Sequence, residues 1–155
     1  MTARLRILVV DDEPVVIQVI QATLLLSGHV VTTASSGDEA LELFRSGKWD
    51  LVITDRKMPG KTGEELAREI KMLDPTMPVI MTTGSMEPVQ GKQPEASHAD
   101  CMIRKPFRVE ALTAAIAAVM TDVKVKGHPL TPSSAVGTRQ KICLNTRGNT
   151  PRRRL

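Results

Sequence analysis

Aromatic side chains are nearly missing from this chain of 155 residues, which has two phenylalanines, one tryptophan and no tyrosine. Phe44, Trp49 and Phe107 are too few and too scattered for the stacking platform on which single-stranded nucleic acid is read. Cysteine is equally scarce. Cys101 lies in an apolar run and Cys143 in a polar stretch, so there is neither a disulfide framework nor the Cys/His spacing of a zinc site, and both thiols are expected to be reduced. His29, His98 and His128 show no metal-site spacing either, and no Gly-rich nucleotide loop occurs. No uninterrupted apolar run reaches the roughly 18 residues of a membrane-spanning helix. The apolar stretch after Arg6 is cut by Asp11 too early for a secretory signal. A cytoplasmic location with no membrane partner is expected.

Acidic residues are what the last part of the chain lacks. Residues 121–155 carry 8 Lys and Arg against 1 Asp, a net of +7, whereas residues 1–120 carry 13 against 16, a net of −3. The overall charge of +4 therefore belongs to the tail. The acidic body does not have the charge of a nucleic-acid binder. The tail is rich in Pro, Gly, Ser, Thr and Arg, without sustained apolar periodicity from Gly127 to Leu155, and is expected to be disordered. Arg152 to Arg154 are too short a run, with no helix-turn-helix beside them, to support DNA binding. The expected division is a folded domain over residues 1–121 and a basic tail over 122–155 without an effector domain.

What is present is a repeating alternation. Ile7 to Val10, Leu51 to Ile53, Val79 to Met81 and Cys101 to Ile103 are short apolar runs without period-two alternation, as in strands buried on both faces, and Val30 to Thr33 adds a β-rich run. Helical patterns lie between them. Pro14 suits a first helical turn, with Val16, Ile20 and Leu24 at helix spacing until Gly28. Ser36 with Glu39 and Thr62 with Glu65 each fit a capping box, Gly47 closes the first of these helices, and Leu112, Ile116, Val119 and Met120 mark one face of the last. The pattern predicts an α/β fold, a doubly wound parallel sheet of five strands with helices on both faces.

In such sheets the ligand site lies beyond the carboxyl ends of the strands. Here the runs end in Asp11 and Asp12, in Asp55, in Thr83, and in Lys105 followed by Pro106. Singly, these residues would pass for helix caps, turn formers and a solvated lysine. Together they put three carboxylates, a hydroxyl and an ammonium on one rim, and two unit charges about 4 Å apart interact by about 4 kcal/mol at an effective dielectric of 20. Three clustered carboxylates need a cation. Hard oxygen ligands suit Mg2+, which prefers one or two carboxylates plus phosphate oxygens. A carboxylate can itself accept a phosphoryl group while a metal and a lysine neutralise its charge, and Asp55, at a central strand end, is the candidate.

Residues 4 to 121 resemble the receiver domain of bacterial two-component response regulators, of the single-domain chemotaxis-regulator type. The resemblance is carried by VVDDEP (9 to 14), VITDRKMPGKTG (52 to 63), PVIMTTG (78 to 84) and KPF (105 to 107), with 22 residues from Thr83 to Lys105. It implies a flavodoxin-like sheet in the order 2-1-3-4-5. It also implies a signalling switch in which Asp55 takes a phosphoryl group from a sensor histidine kinase or phosphotransfer protein and signals through a downstream protein. By the same resemblance Asp12 is a direct Mg2+ ligand, Asp11 acts mainly through bound water, the backbone carbonyl of Lys57 is a third ligand, Lys105 pairs with the phosphoryl group, and Thr83 donates its hydroxyl to it. Thr82 is the adjacent rival for that last role. Such a receiver is not an enzyme beyond its own phosphorylation and dephosphorylation. The alternatives are a phosphorylation-independent binding module and a Mg2+-dependent phosphohydrolase. Haloacid-dehalogenase-type enzymes also use a strand-end aspartate, but their paired aspartates are separated by one residue, and Asp11 and Asp12 are adjacent.

The chain departs from the family pattern in several places, one of them Arg108, which stands where a helix cap such as Ser or Asp is usual. Met102 stands three residues before Lys105, where an aromatic switch residue is usual, and a methionine fills that space flexibly. Lys57 and Ser85 occupy positions that tune phosphoryl lifetime. Pro88, Gly91 and Pro94 interrupt the segment from Met86 to Ala99 that would form the fourth helix, and an interior proline costs a helix about 3 kcal/mol. That helix is expected to be short or broken.

Overall fold

A computed structural model describes residues 3–84, 97–126 and 141–142. The described elements are β1 (Arg6–Val10), α1 (Pro14–Leu26), β2 (Val30–Ala34), α2 (Gly37–Ser46), β3 (Leu51–Asp55), α3 (Gly63–Leu73), β4 (Val79–Thr83), β5 (Cys101–Arg104), α4 (Val109–Lys126) and β6 (Lys141–Ile142). Five strands form the expected parallel sheet in the order 2-1-3-4-5, and β6 adds a short sixth strand beside β5. The segment expected to hold a broken helix falls largely at residues 85–96, outside the described residues, while 97–100 are not helical.

Alternation along the strands sorts the core into two layers. Leu8, Val10, Val52, Val79 and Met81 pack on one face with Ala40, Leu41 and Phe44 of α2 and Leu66, Ala67 and Ile70 of α3. Ile7, Val9, Leu51, Ile53, Ile80 and Ile103 pack on the other with Ile20 and Leu24 of α1 and Leu112, Ala115 and Ile116 of α4. Every residue of β3 and β4 is buried, which explains why these strands read as unbroken apolar runs rather than as alternating ones. His29 belongs to this frame, its Nδ1 accepting the amide of Leu5.

The helix starts follow from their caps, with one correction. Thr62 and Glu65 close a full capping box at α3. At α2 the Ser36 hydroxyl accepts from the Glu39 amide, but the Glu39 carboxylate accepts from the amide and hydroxyl of Ser35 instead of the Ser36 amide. The reciprocal half of the box is thus shifted by one residue. The sequence-based expectation of two reduced thiols is also corrected, because Cys101 is disulfide-bonded.

Candidate functional site

The rim lies within two residues of the end of each strand's apolar stretch. Asp55 is the last residue of β3 and pairs in register with Thr82 of β4; Asp11 follows β1 directly, and its amide bonds to the Ala34 carbonyl at the end of β2. Lys105 follows β5 after Arg104, and its amide donates to the Thr83 carbonyl at 2.8 Å. The Lys105–Pro106 peptide is cis. Carboxylate oxygens of Asp11, Asp12 and Asp55 lie within 4.8 Å of one another. Lys105 Nζ is 2.9 Å from Asp11 Oδ2 and 3.3 Å from Asp55 Oδ1. Asp11 Oδ1 accepts from the Glu13 amide at 2.9 Å, so its two oxygens are split between the backbone and the lysine.

Three carboxylates face one ammonium, and the cluster is short of two positive charges. Asp11 is fully buried and Asp55 is 6% exposed, whereas Asp12 is open to solvent. Burial and then the charge of Asp11 push the Asp55 carboxyl above its ordinary range, and Lys105 offsets part of that rise. For Lys105, burial works against the ammonium, but the hydrogen bond to Asp11 and the charges of Asp11 and Asp55 outweigh it and raise its pKa. The lysine is therefore held charged beside carboxylates that remain under-compensated. This donor set, all oxygen and doubly deficient in positive charge, fits a divalent hard cation such as Mg2+.

Backbone packing fixes where Asp55 sits. A Cβ on Gly63 would lie 2.0 Å from the Asp55 carbonyl oxygen, so the first residue of α3 can approach the end of β3 only as glycine. The Gly63 amide donates to the Arg56 carbonyl, and Gly60, at φ +76°, turns the connecting loop in the left-handed region. Lys61 ties this loop to Asp38 and Glu69. Arg56 Nε lies 3.9 Å from Glu64, whose carboxylate also accepts from the Ser97 hydroxyl.

The structure thus brings Asp11, Asp12, Asp55 and Lys105 together, with Thr83 buried at the neighbouring strand end. Lys57 is exposed in the β3–α3 connection, two residues past Asp55. Met102 is half-buried on β5, opposite Met81 and packed against the α2–α3 layer. Ser85 lies outside the described residues. Sequence reasoning missed the role of Gly63, although its place directly after a capping threonine was a usable signal. It also ranked Thr82 second without foreseeing its state. Among the described residues, the buried hydroxyl of Thr82 is left without a hydrogen-bond partner.

The response regulator receiver domain model matches residues 7–117, most of the chain. This chain belongs to the response regulator receiver family. It is 32% identical over 115 residues to the alkaline phosphatase synthesis transcriptional regulatory protein PhoP of Bacillus subtilis, covering 74% of this chain and 48% of that one. The chain spans about half the length of the curated relatives it matches. Among solved structures, it resembles a response regulator receiver domain protein from Clostridium thermocellum (36% identity, TM-score 0.70, covering 78% of this chain and 98% of that one). It also resembles the response regulator TrrA of Thermotoga maritima, solved in complex with Mg2+ and BeF (35% identity, TM-score 0.66, covering 74% and 97%). Receivers are signalling modules of two-component systems rather than enzymes in the usual sense, and response regulators receive their signals from histidine kinases. No helix among the described residues is long and apolar enough to cross a membrane.

Proposed function

We propose that this receiver is a phosphorylation-dependent switch in which Asp55 accepts a phosphoryl group from a phosphohistidine of a sensor kinase or phosphotransfer protein. The observation that carries the reading is the position of Lys105, whose ammonium reaches both Asp11 and Asp55 inside the acidic cluster. An Asp55 oxygen forms the new bond to phosphorus, the bond from phosphorus to the imidazole nitrogen breaks, and the histidine leaves with its electron pair. Asp11, Asp12, Asp55 and the Lys57 carbonyl would hold Mg2+, which when bound neutralises charge on the transferring group. Lys105 moves from its carboxylate partners to the phosphoryl oxygens, and Thr83 turns its hydroxyl to the same acceptor. Both strand ends are thereby drawn towards Asp55, which is how added charge becomes a change of surface for a downstream protein. Met102 is the half-buried residue of β5 expected to follow that movement, and Lys57, beside the acceptor, is expected to alter phosphoryl lifetime.

Intact-mass spectrometry after incubation with acetyl phosphate and Mg2+, run beside Asp55→Asn, tests the proposal. One phosphoryl group, dependent on the metal and absent from the variant, is expected. Repeated turnover of small phosphate esters would favour the phosphohydrolase. A folded protein that takes up no phosphoryl group, even from phosphorylated kinase, would favour the phosphorylation-independent binding module.

A further inference from the structure

We propose that Thr82 is a positioning residue for the acyl phosphate, its hydroxyl donating to the carboxyl oxygen of Asp55 that is not bonded to phosphorus. The proposal rests on the reading that Asp55 accepts the phosphoryl group. Side chains two residues apart along a strand share a face. Val9, Ile53, Ile80 and Ile103 all pack on the face covered by α1 and α4, and the residues two places beyond them are Asp11, Asp55, Thr82 and Lys105. Three of these four meet through the Lys105 ammonium, 2.9 Å from Asp11 and 3.3 Å from Asp55. Thr82 is the fourth, and it is the direct register partner of Asp55.

Thr82 is 1% exposed, and among the described residues its Oγ1 has no hydrogen-bond partner. A buried hydroxyl left in this way raises the free energy of the state that contains it, so a state that supplies an acceptor is favoured. The acyl phosphate supplies one. In the free protein Lys105 holds Asp55 Oδ1; once the ammonium turns to the phosphoryl oxygens, the acyl oxygen is short of a donor in a buried place. The Arg56 amide also serves the Asp55 carboxylate, but it already donates to the Thr82 carbonyl at 2.9 Å. The Thr82 hydroxyl and the acyl oxygen therefore satisfy each other in the phosphorylated state, while Thr83, one residue nearer the open rim, is left for the phosphoryl oxygens.

The test uses beryllofluoride, which a carboxylate oxygen binds as a tetrahedral stand-in for the phosphoryl group. It is titrated at saturating Mg2+ into the native chain, Thr82→Val and Thr82→Ser. Valine keeps the shape and loses the hydroxyl; serine keeps the hydroxyl and loses the methyl. Thr82→Val is expected to bind about tenfold more weakly although its free form melts no lower than the native protein, and Thr82→Ser to stay within about threefold of native affinity. Native affinity in Thr82→Val would overturn the proposal. So would an equal loss in both variants, which would assign the effect to packing, or a free Thr82→Val that melts lower, which would show that the hydroxyl already has a partner. A native protein that binds no beryllofluoride and takes up no phosphoryl group would instead overturn the reading of Asp55, and the proposal with it.

Discussion

Within two residues, β3 passes from Ile53, buried among apolar side chains, to Asp55, a buried carboxylate held above its ordinary pKa. Up to Ile53 the strand gains from leaving water; at Asp55 it bears a desolvated charge that Lys105 and the Arg56 backbone amide answer only in part. The same passage occurs from Val10 to Asp11 and from Ile103 to Lys105. The interior of the sheet is therefore arranged for stability and its rim for chemistry, and the rim's ionic arrangement costs the folded state something. The contrast teaches that one chain segment can serve both ends if the change is confined to a strand terminus, where a ligand can reach the charge.

The comparison breaks first in the interior. Ile80→Ala, a truncation on the sheet face covered by α1 and α4, is expected to cost about 2–5 kcal/mol in urea unfolding while leaving phosphoryl uptake per folded molecule unchanged. A loss of uptake at full folding would show that interior and rim are not separable. Next comes Mg2+, which compensates the rim alone. At 100 times its Kd it is expected to stabilise the native protein by about 2.7 kcal/mol in thermal melts, and Asp12→Ala should remove most of that gain.

Asp55→Asn tests the sign of the rim's contribution. Because the folded carboxyl titrates above its unfolded value, the stability it lends when protonated is fully present below the unfolded pKa and lost as pH rises through the folded one. The variant is thus expected to melt higher than the native protein at pH 7, with the advantage fading as the pH falls into the carboxylate range. A lower melting point at pH 7 would mean that the Lys105 pair outweighs the burial. The smallest effect is expected from Thr82→Val, which removes a buried hydroxyl without a partner at nearly constant shape and should be neutral or stabilising by up to about 1 kcal/mol. Phosphoryl uptake lost in that variant would move the hydroxyl role from Thr83 to Thr82.

Much of this contrast is legible in the sequence because a parallel sheet covered on both faces leaves nothing subtle in its strands. Runs such as Val79 to Met81 have no polar face to hide, and the rim follows within two residues of the end of each run. Asp11, Asp12, Asp55 and Lys105 could be placed together on that ground alone. Other features depend on contacts that sequence spacing does not determine. Glu39 lies at the right interval from Ser36, yet its carboxylate finds the Ser35 amide and hydroxyl, a choice made by the entry angle of the chain. Thr82 and Thr83 are adjacent and chemically identical, and only strand register sets one opposite Asp55. β6 is two residues long inside a polar stretch, too short for any periodicity to announce it.

The most direct measurement is localisation of the phosphoryl group. Acyl phosphate formed with acetyl phosphate and Mg2+ can be reduced with borohydride, which converts the modified aspartate to homoserine, and the peptide then sequenced by mass spectrometry. Homoserine is expected at position 55 and nowhere else. Homoserine at position 11 or 12, with Asp55 intact, would contradict it.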